Sequence, residues 1–217
     1  MPGKYLFFTE KEKLKNEMIT GICPAYLPSI KYIKWVINQK KLYFITNGNY
    51  QKQTFRNRAE IYGPNGKLKL IIPVNKNKNS NHQKDFETIV DNDFFWQRNH
   101  WRSIQMSYRA SPYFEFYEED FYPFYNYKIS NLIEFNISLI KVILKLLKFD
   151  IPIIENQKKE LKEKRDLIIS KKIINPPYLK YNQVFIDKYG FLENLSVIDL
   201  LFNLGPQSLN YLKNLKI

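Results

Sequence analysis

The stretch from Ser130 to Phe149 decides what this chain can fold into. Its polar residues Glu134, Ser138, Lys141, Lys145 and Lys148 recur at i, i+4, i+7, i+11 and i+14, one narrow wet stripe on an otherwise apolar helix. A helix with so little polar surface must be wrapped by other elements, which places it in the middle of a domain core. Three lysines spread along its length would be costly in lipid, so the run does not read as a membrane span.

The 217 residues around it suffice for one domain with a sizeable core and are too few for two full ones. Hydrophobic residues at 44%, charged residues at 25% and a mean hydropathy of -0.44 exclude disorder, fibres and an integral membrane protein. Short apolar runs with turn signals dominate the first half: Gly21 to Pro28, Lys41 to Ile45, and a hairpin over 60–73 about Gly63-Pro64-Asn65-Gly66. Phe86 to Val90 reads as one more strand, and Ser29 as the cap of a helix running to Gln39. Helices dominate the second half, over 96–108, after Ser111-Pro112, over 130–149, and over 195–206, where Gly205-Pro206 closes the last one. These elements predict a single α/β domain over 20–217, a mixed β-sheet from the N-terminal half covered by helices mainly from the C-terminal half. A charged arm over 1–19 precedes it, and the polar low-complexity run from Asn75 to Lys84 reads as a surface loop.

The only cysteine, Cys23, excludes an internal disulfide, and no Cys/His spacing suits a zinc site, so no metal or cofactor is expected. The apolar run at the start is too short for a secretory signal, and the chain reads as cytoplasmic. A small buried thiol is the default for Cys23. A nucleophile with His100 as its base is the sharper alternative. No glycine-rich phosphate loop, nucleophile elbow or paired-carboxylate motif is present, which removes the common kinase, Rossmann and hydrolase readings.

The net charge of +13 points to an anionic partner, but plentiful Lys, Asn, Ile, Tyr and Phe with only three alanines also fit drift toward AT-rich codons. Drift makes the arginines informative. Five of the six fall within 56–109, and a planar fork is hard to replace by lysine where a carboxylate or phosphate is held by two hydrogen bonds. Within the block Asn49-Tyr50-Gln51-Lys52-Gln53-Thr54-Phe55-Arg56-Asn57-Arg58, strand alternation would put Lys52, Arg56 and Arg58 on one side, where a nearby anion would relieve their repulsion. A solvated cationic edge strand is the plainer reading. In Trp96-Gln97-Arg98-Asn99-His100-Trp101-Arg102-Ser103, a helix groups Trp96, His100 and Ser103 with Arg102 at the flank. Beside arginines His100 would stay neutral at pH 7 and suit a general base, or else be a core histidine bound to a carbonyl.

These readings assemble into one site. Lys52, Arg56 and Arg58 would hold an anion and Asn57 would orient it. His100 would act as base with Arg98 and Arg102 setting the potential, while Tyr26, Tyr50 and Trp96 stack on a sugar or base. The substrate would be an anionic small molecule such as a nucleotide-activated or lipid-linked sugar. The alternative classes are an RNA- or tRNA-binding module and a non-catalytic scaffold. No contact with the membrane interior is expected.

The blocks Pro24-Ala25-Tyr26-Leu27-Pro28-Ser29-Ile30-Lys31-Tyr32, Tyr50 to Arg58, Ile72-Pro73-Val74, Asn99-His100-Trp101-Arg102-Ser103-Ile104, Tyr108 with Ser111-Pro112, and Ser196 to Pro206 together resemble the WbqC-like proteins of bacterial cell-surface polysaccharide loci, in particular a Bacteroidetes-type branch. The resemblance spans roughly residues 20–212. It implies a cytoplasmic protein of O-antigen or related glycan synthesis that transfers an acyl or aminoacyl group to an amino sugar. Two positions depart from the family pattern: Cys23 stands where glutamine is frequent, and Asn47 stands near a position that is often acidic.

Overall fold

The structure is a computed structural model and describes residues 19–75, 83–155, 161–169 and 178–216. Nearly all of the charged arm, His82 and most of the polar loop, and the stretches 156–160 and 170–177 lie outside the described residues. The elements are β1 (Thr20–Gly21), α1 (Ile30–Ile37), β2 (Leu42–Tyr43), β3 (Arg58–Gly63), β4 (Gly66–Ile71), α2 (Trp96–Tyr108), α3 (Phe114–Phe121), α4 (Leu132–Leu146), β5 (Ile153–Ile154), β6 (Lys162–Glu163), α5 (Ile186–Tyr189), α6 (Val197–Leu204) and α7 (Ser208–Asn214).

The single α/β domain read from the sequence holds, with its strands in small sheets. β1 pairs in parallel with β6 and β2 with β5, and a parallel bridge between Ile22 and Phe44 joins the two pairs into a ribbon ordered β6-β1-β2-β5. The predicted hairpin is β3-β4, antiparallel from Arg58↔Ile71 to Gly63↔Gly66. Gly66 takes φ +94 at the turn, open only to glycine at little cost. The expected strand at 86–90 is instead a 3-10 turn over Asp85–Glu87 followed by isolated bridges of Ile89 with Asn131 and Val90 with Val74.

Helix α4 is the buried centre. Glu134, Ser138, Lys141 and Lys145 of its stripe are exposed, as is Lys148, which falls past the helix end at φ +53, while Leu132, Ile133, Phe135, Leu139, Ile140 and Ile143 are buried. Asn131 caps it, its Oδ1 accepting from the Ile133 and Glu134 amides. Ser29 caps α1 as expected, accepting from the Tyr32 amide at 3.3 Å. Ser111 does not cap α3. Its hydroxyl donates back to the Tyr108 carbonyl at 2.6 Å, and the helix begins only at Phe114.

The C-terminal segment is stitched into this core. The Ile30 amide donates to the Leu195 carbonyl, the Val197 amide to Pro28, and the Ser196 amide to Glu60 of β3. Phe202 of α6 then packs on Tyr108, Phe114 and Phe121 with ring centroids 5.1 to 5.6 Å apart. Among the described residues no helix is long and apolar enough to cross a membrane.

Candidate functional site

Two of the sequence blocks meet because of one residue of the central helix. Asn136 of α4 is fully buried, and its Nδ2 donates to the carbonyls of Pro24 (3.1 Å) and Arg56 (2.7 Å). The Tyr26 amide adds a bond to the Phe55 carbonyl, so the segments 23–26 and 55–57 lie side by side. Asn136 breaks the apolar side of its helix, and that departure from the stripe is the signal by which the sequence could have revealed it. A buried amide is retained where it has backbone groups to satisfy.

The junction holds a buried charged network. Arg56 is 1% and Asp85 0% exposed. The Arg56 Nη2 donates to Asp85 Oδ2 and to Glu163 Oε1, both at 3.2 Å, and Nη1 stands 3.5 Å from the Thr54 hydroxyl. Nε and Asp85 Oδ1 form an ion-pair contact at 2.8 Å without an aligned hydrogen. Asp85 is delivered by backbone pairing: its amide donates to the Gly48 carbonyl, the Phe86 amide to Thr46, and the Tyr50 amide to Gln83. A Cβ at Gly48 would lie 2.8 Å from Asp85 Oδ2, so glycine lets the loop approach this closely.

Burial pushes the Asp85 carboxyl up, and Arg56 opposes the shift. Cys23 closes the network with its Sγ 3.7 Å from Asp85 Oδ2. Burial and the Asp85 carboxylate hold its thiol well above the usual range, so at pH 7 it is a protonated, buried group rather than a thiolate nucleophile.

The block therefore differs from a strand carrying three cations on one side. Residues 50–57 form turns, Gln53 has φ +61, and alternation does not apply. Lys52 is exposed, Arg56 is buried against two carboxylates of its own chain, and only Arg58 lies between these extremes. Arg58 makes no ion pair among the described residues, and its Nε is buried without a hydrogen-bond partner. Beside it Tyr50 is half-buried, its phenol pushed up to about 12 by burial against the opposing pull of Arg56 and Arg58. Asn57 donates to the Ile72 carbonyl at 2.8 Å and so extends the hairpin by one rung, with its Oδ1 buried and unpaired.

His100 occupies the inner side of α2. It is 6% exposed, and its Nδ1 stands 2.9 Å from the Tyr26 hydroxyl, which in turn meets the Tyr125 hydroxyl at 3.0 Å. The Ile71 carbonyl lies near the ring and favours its protonated form. The imidazole is neutral at pH 7, as the sequence suggested, but the cause is different. Burial lowers its pKa to about 4, with no contribution from the arginines. Trp96 packs edge-on against the ring at 5.3 Å, and Tyr26 and Trp96 are both buried among aromatic residues. Arg98 and Arg102 lie on the opposite, exposed side of α2.

The structure thus brings together Tyr26 with His100 and Trp96, and Tyr50 with Arg56 and Arg58. It leaves Lys52, Arg98 and Arg102 at the surface. Sequence reasoning missed Asp85, Glu163 and Asn136. Asp85 is the first acidic residue after Glu60, following a long run of polar and basic ones, and a lone acid there was the available signal. No group of His, Cys, Asp and Glu among the described residues has the geometry to hold a metal ion.

A sequence profile of the WbqC-like protein family matches residues 23–175, more than half of the chain. The chain belongs to the WbqC-like protein family. The match begins at Cys23 and includes Tyr26, Arg56, Arg58, Asp85, His100, Asn136 and Glu163, so both polar clusters of this WbqC-like protein lie in the family's own segment. Asp199 and Asn203 of α6 fall beyond it. The chain is also similar to the uncharacterized protein Rv1507c of Mycobacterium tuberculosis, 23% identical over 222 residues that cover 87% of this chain and 94% of the other. No solved structure matches it.

Proposed function

We propose that this WbqC-like protein is a cytoplasmic transferase of cell-surface polysaccharide synthesis, moving an acyl or aminoacyl group onto an amino sugar whose phosphate or carboxylate is held by Arg58. The observation that carries the reading is the buried Nε of Arg58, a guanidinium donor left without a partner beside the half-buried Tyr50. Leaving such a donor unmatched costs about 1–3 kcal/mol, more for a charged group, and an anionic ligand would recover it. Arg56 has its charge met by Asp85 and Glu163. In this reading it frames the site and does not bind.

Arg58 pairs with Ile71 across the hairpin, and the Ile71 carbonyl lies near the His100 ring. The histidine then sets the rung on which the anion rests. His100 is buried and its Nδ1 is engaged by Tyr26, so the reading gives it a positioning part. Tyr50 would supply the face for the sugar or base, and Lys52 the outer charge.

The test is a thermal-shift series with UDP-N-acetylglucosamine, inorganic pyrophosphate, acetyl-coenzyme A and bulk tRNA on the wild type, Arg58→Ala and Arg98→Ala. A ligand at a hundredfold excess over its Kd stabilises the native state by about 2.7 kcal/mol. The expected result is a rise with the sugar nucleotide that persists in Arg98→Ala and vanishes in Arg58→Ala. An equal rise in Arg58→Ala would remove the arginine from the site, and silence with every probe would overturn the reading. A rise with tRNA that depends on Arg58 would make an aminoacyl-tRNA the donor.

A further inference from the structure

The outer side of α2 belongs to no site described above. Phe95, Arg98, Asn99, Arg102, Met106 and Arg109 share it at helical spacing, and all are exposed, Phe95 to 77% and Met106 to 70%. The helix carries no acidic residue, and this face holds half of the arginines in a chain that otherwise uses lysine. Next to it lies α3, with the opposite character: Glu115, Glu118, Glu119 and Asp120, no lysine or arginine, and Phe116 76% exposed. The two helices touch directly. Gln105 Nε2 donates to Glu118 Oε1 at 3.2 Å, and Trp101 packs on Phe114 and Tyr122.

Asp120 pairs with Lys145, but among the described residues Arg98, Arg102, Arg109, Glu115 and Glu119 make no ion pair within their own chain. A basic row with exposed Phe and Met therefore runs beside an acidic row with an exposed Phe. Arginine, aromatic residues and methionine are the types enriched in protein interfaces, and the glutamates of α3 supply the complementary charge. Composition drift would have replaced these arginines by lysine if only charge were needed.

We infer that this face is a self-complementary interface and that its occupant is a second copy of this chain. A two-fold axis along the seam between α2 and α3 sets each α2 over the partner's α3, as an isologous interface requires. The arginine row then meets the glutamate row twice, once on each side of the axis, and Met106 meets Phe116 between the two rows. A nucleic acid would match the arginines but would face the carboxylates of α3, which disfavours it as occupant.

The test is sedimentation equilibrium of the full chain at tens of micromolar protein, at low and high salt. It includes a basic-row variant (Arg98→Glu with Arg102→Glu) and an acidic-row variant (Glu115→Arg with Glu119→Arg). Wild type is expected as a dimer that weakens with salt. Each variant alone sets like charges opposite one another and should self-associate about a hundredfold more weakly. Mixed in equal amounts the two variants should form a heterodimer, because both crossings are then attractive. All of these residues are exposed, so far-UV circular dichroism should not change, which separates lost association from lost folding. A monomeric wild type would overturn the inference, as would variants that still dimerise or whose mixture stays monomeric. Binding of RNA to a monomeric wild type would assign the face to nucleic acid instead.

Discussion

Replacing Arg56 by alanine is expected to destabilise the protein by about 3–5 kcal/mol, the cost of leaving one member of a buried ion pair without the other. Asp85 is fully buried, so its carboxylate cannot be solvated once the guanidinium is gone. Glu163, 19% exposed and already 2.8 Å from Arg165 Nε, can turn outward and contributes less. The double variant Arg56→Met with Asp85→Leu removes both charges and keeps much of the volume. It should lose less stability than Arg56→Ala alone. Urea unfolding at pH 7 with a common m-value measures this. A loss below about 1 kcal/mol in Arg56→Ala would be the size of an exposed pair and would mean that water reaches the network. For the same reason Arg58 is the informative position for a ligand test, since truncating Arg56 confounds binding with folding.

The contrast between Arg56 and Arg58 shows where reading the sequence stops. The wet stripe of α4 was legible because a helix of 15 residues repeats its pattern through several turns, and each stripe residue is exposed. The hairpin was legible from Gly63-Pro64-Asn65-Gly66, a turn signal between two apolar runs. Over 50–57 the chain has turns and no strand, so alternation carried no information about which cation faces inward. The strands of the parallel ribbon are two residues long, too short for a periodic signal, and their pairing is set by long-range backbone bonds. Asp85 lies 29 positions from Arg56, and only the fold brings it near. The blocks carrying the family resemblance were visible, but Asn136 is a single amide in an apolar run, and that it joins the Pro24 and Arg56 carbonyls follows from geometry alone.

Stability should be nearly flat between pH 4 and 6.5 in the wild type because two buried groups oppose each other. Burial lowers the His100 pKa from 6.5 to about 4. The unfolded chain takes up that proton first, so the histidine's contribution is full above pH 6.5 and is lost as the pH falls toward 4. Asp199 has the opposite sign. Burial raises its pKa from 3.8 to about 6 against the bonds that it accepts from Tyr181 (2.5 Å) and Gln183 (2.9 Å). The folded state holds this proton longer than the unfolded chain, so stability is full below the unfolded pKa and is lost as pH rises through 6. Each shift is worth about 3 kcal/mol, at about 1.4 kcal/mol for each pKa unit. Asp85 is shifted in the same direction as Asp199 and adds to its side of the balance. The hydroxyls of Tyr26, Tyr125, Tyr108 and Tyr181 are all pushed above their ordinary range and take no part at acid pH. Removing either group should expose the other. Asp199→Asn, which can still accept from Tyr181, should lose about 3 kcal/mol relative to wild type as pH falls from 6.5 to 4, whereas His100→Gln should gain about as much over the same interval. The readout is the slope of unfolding free energy against pH, which a constant loss of packing does not move. Variant curves parallel to wild type would mean that neither group is buried with its charge state as the fold places them.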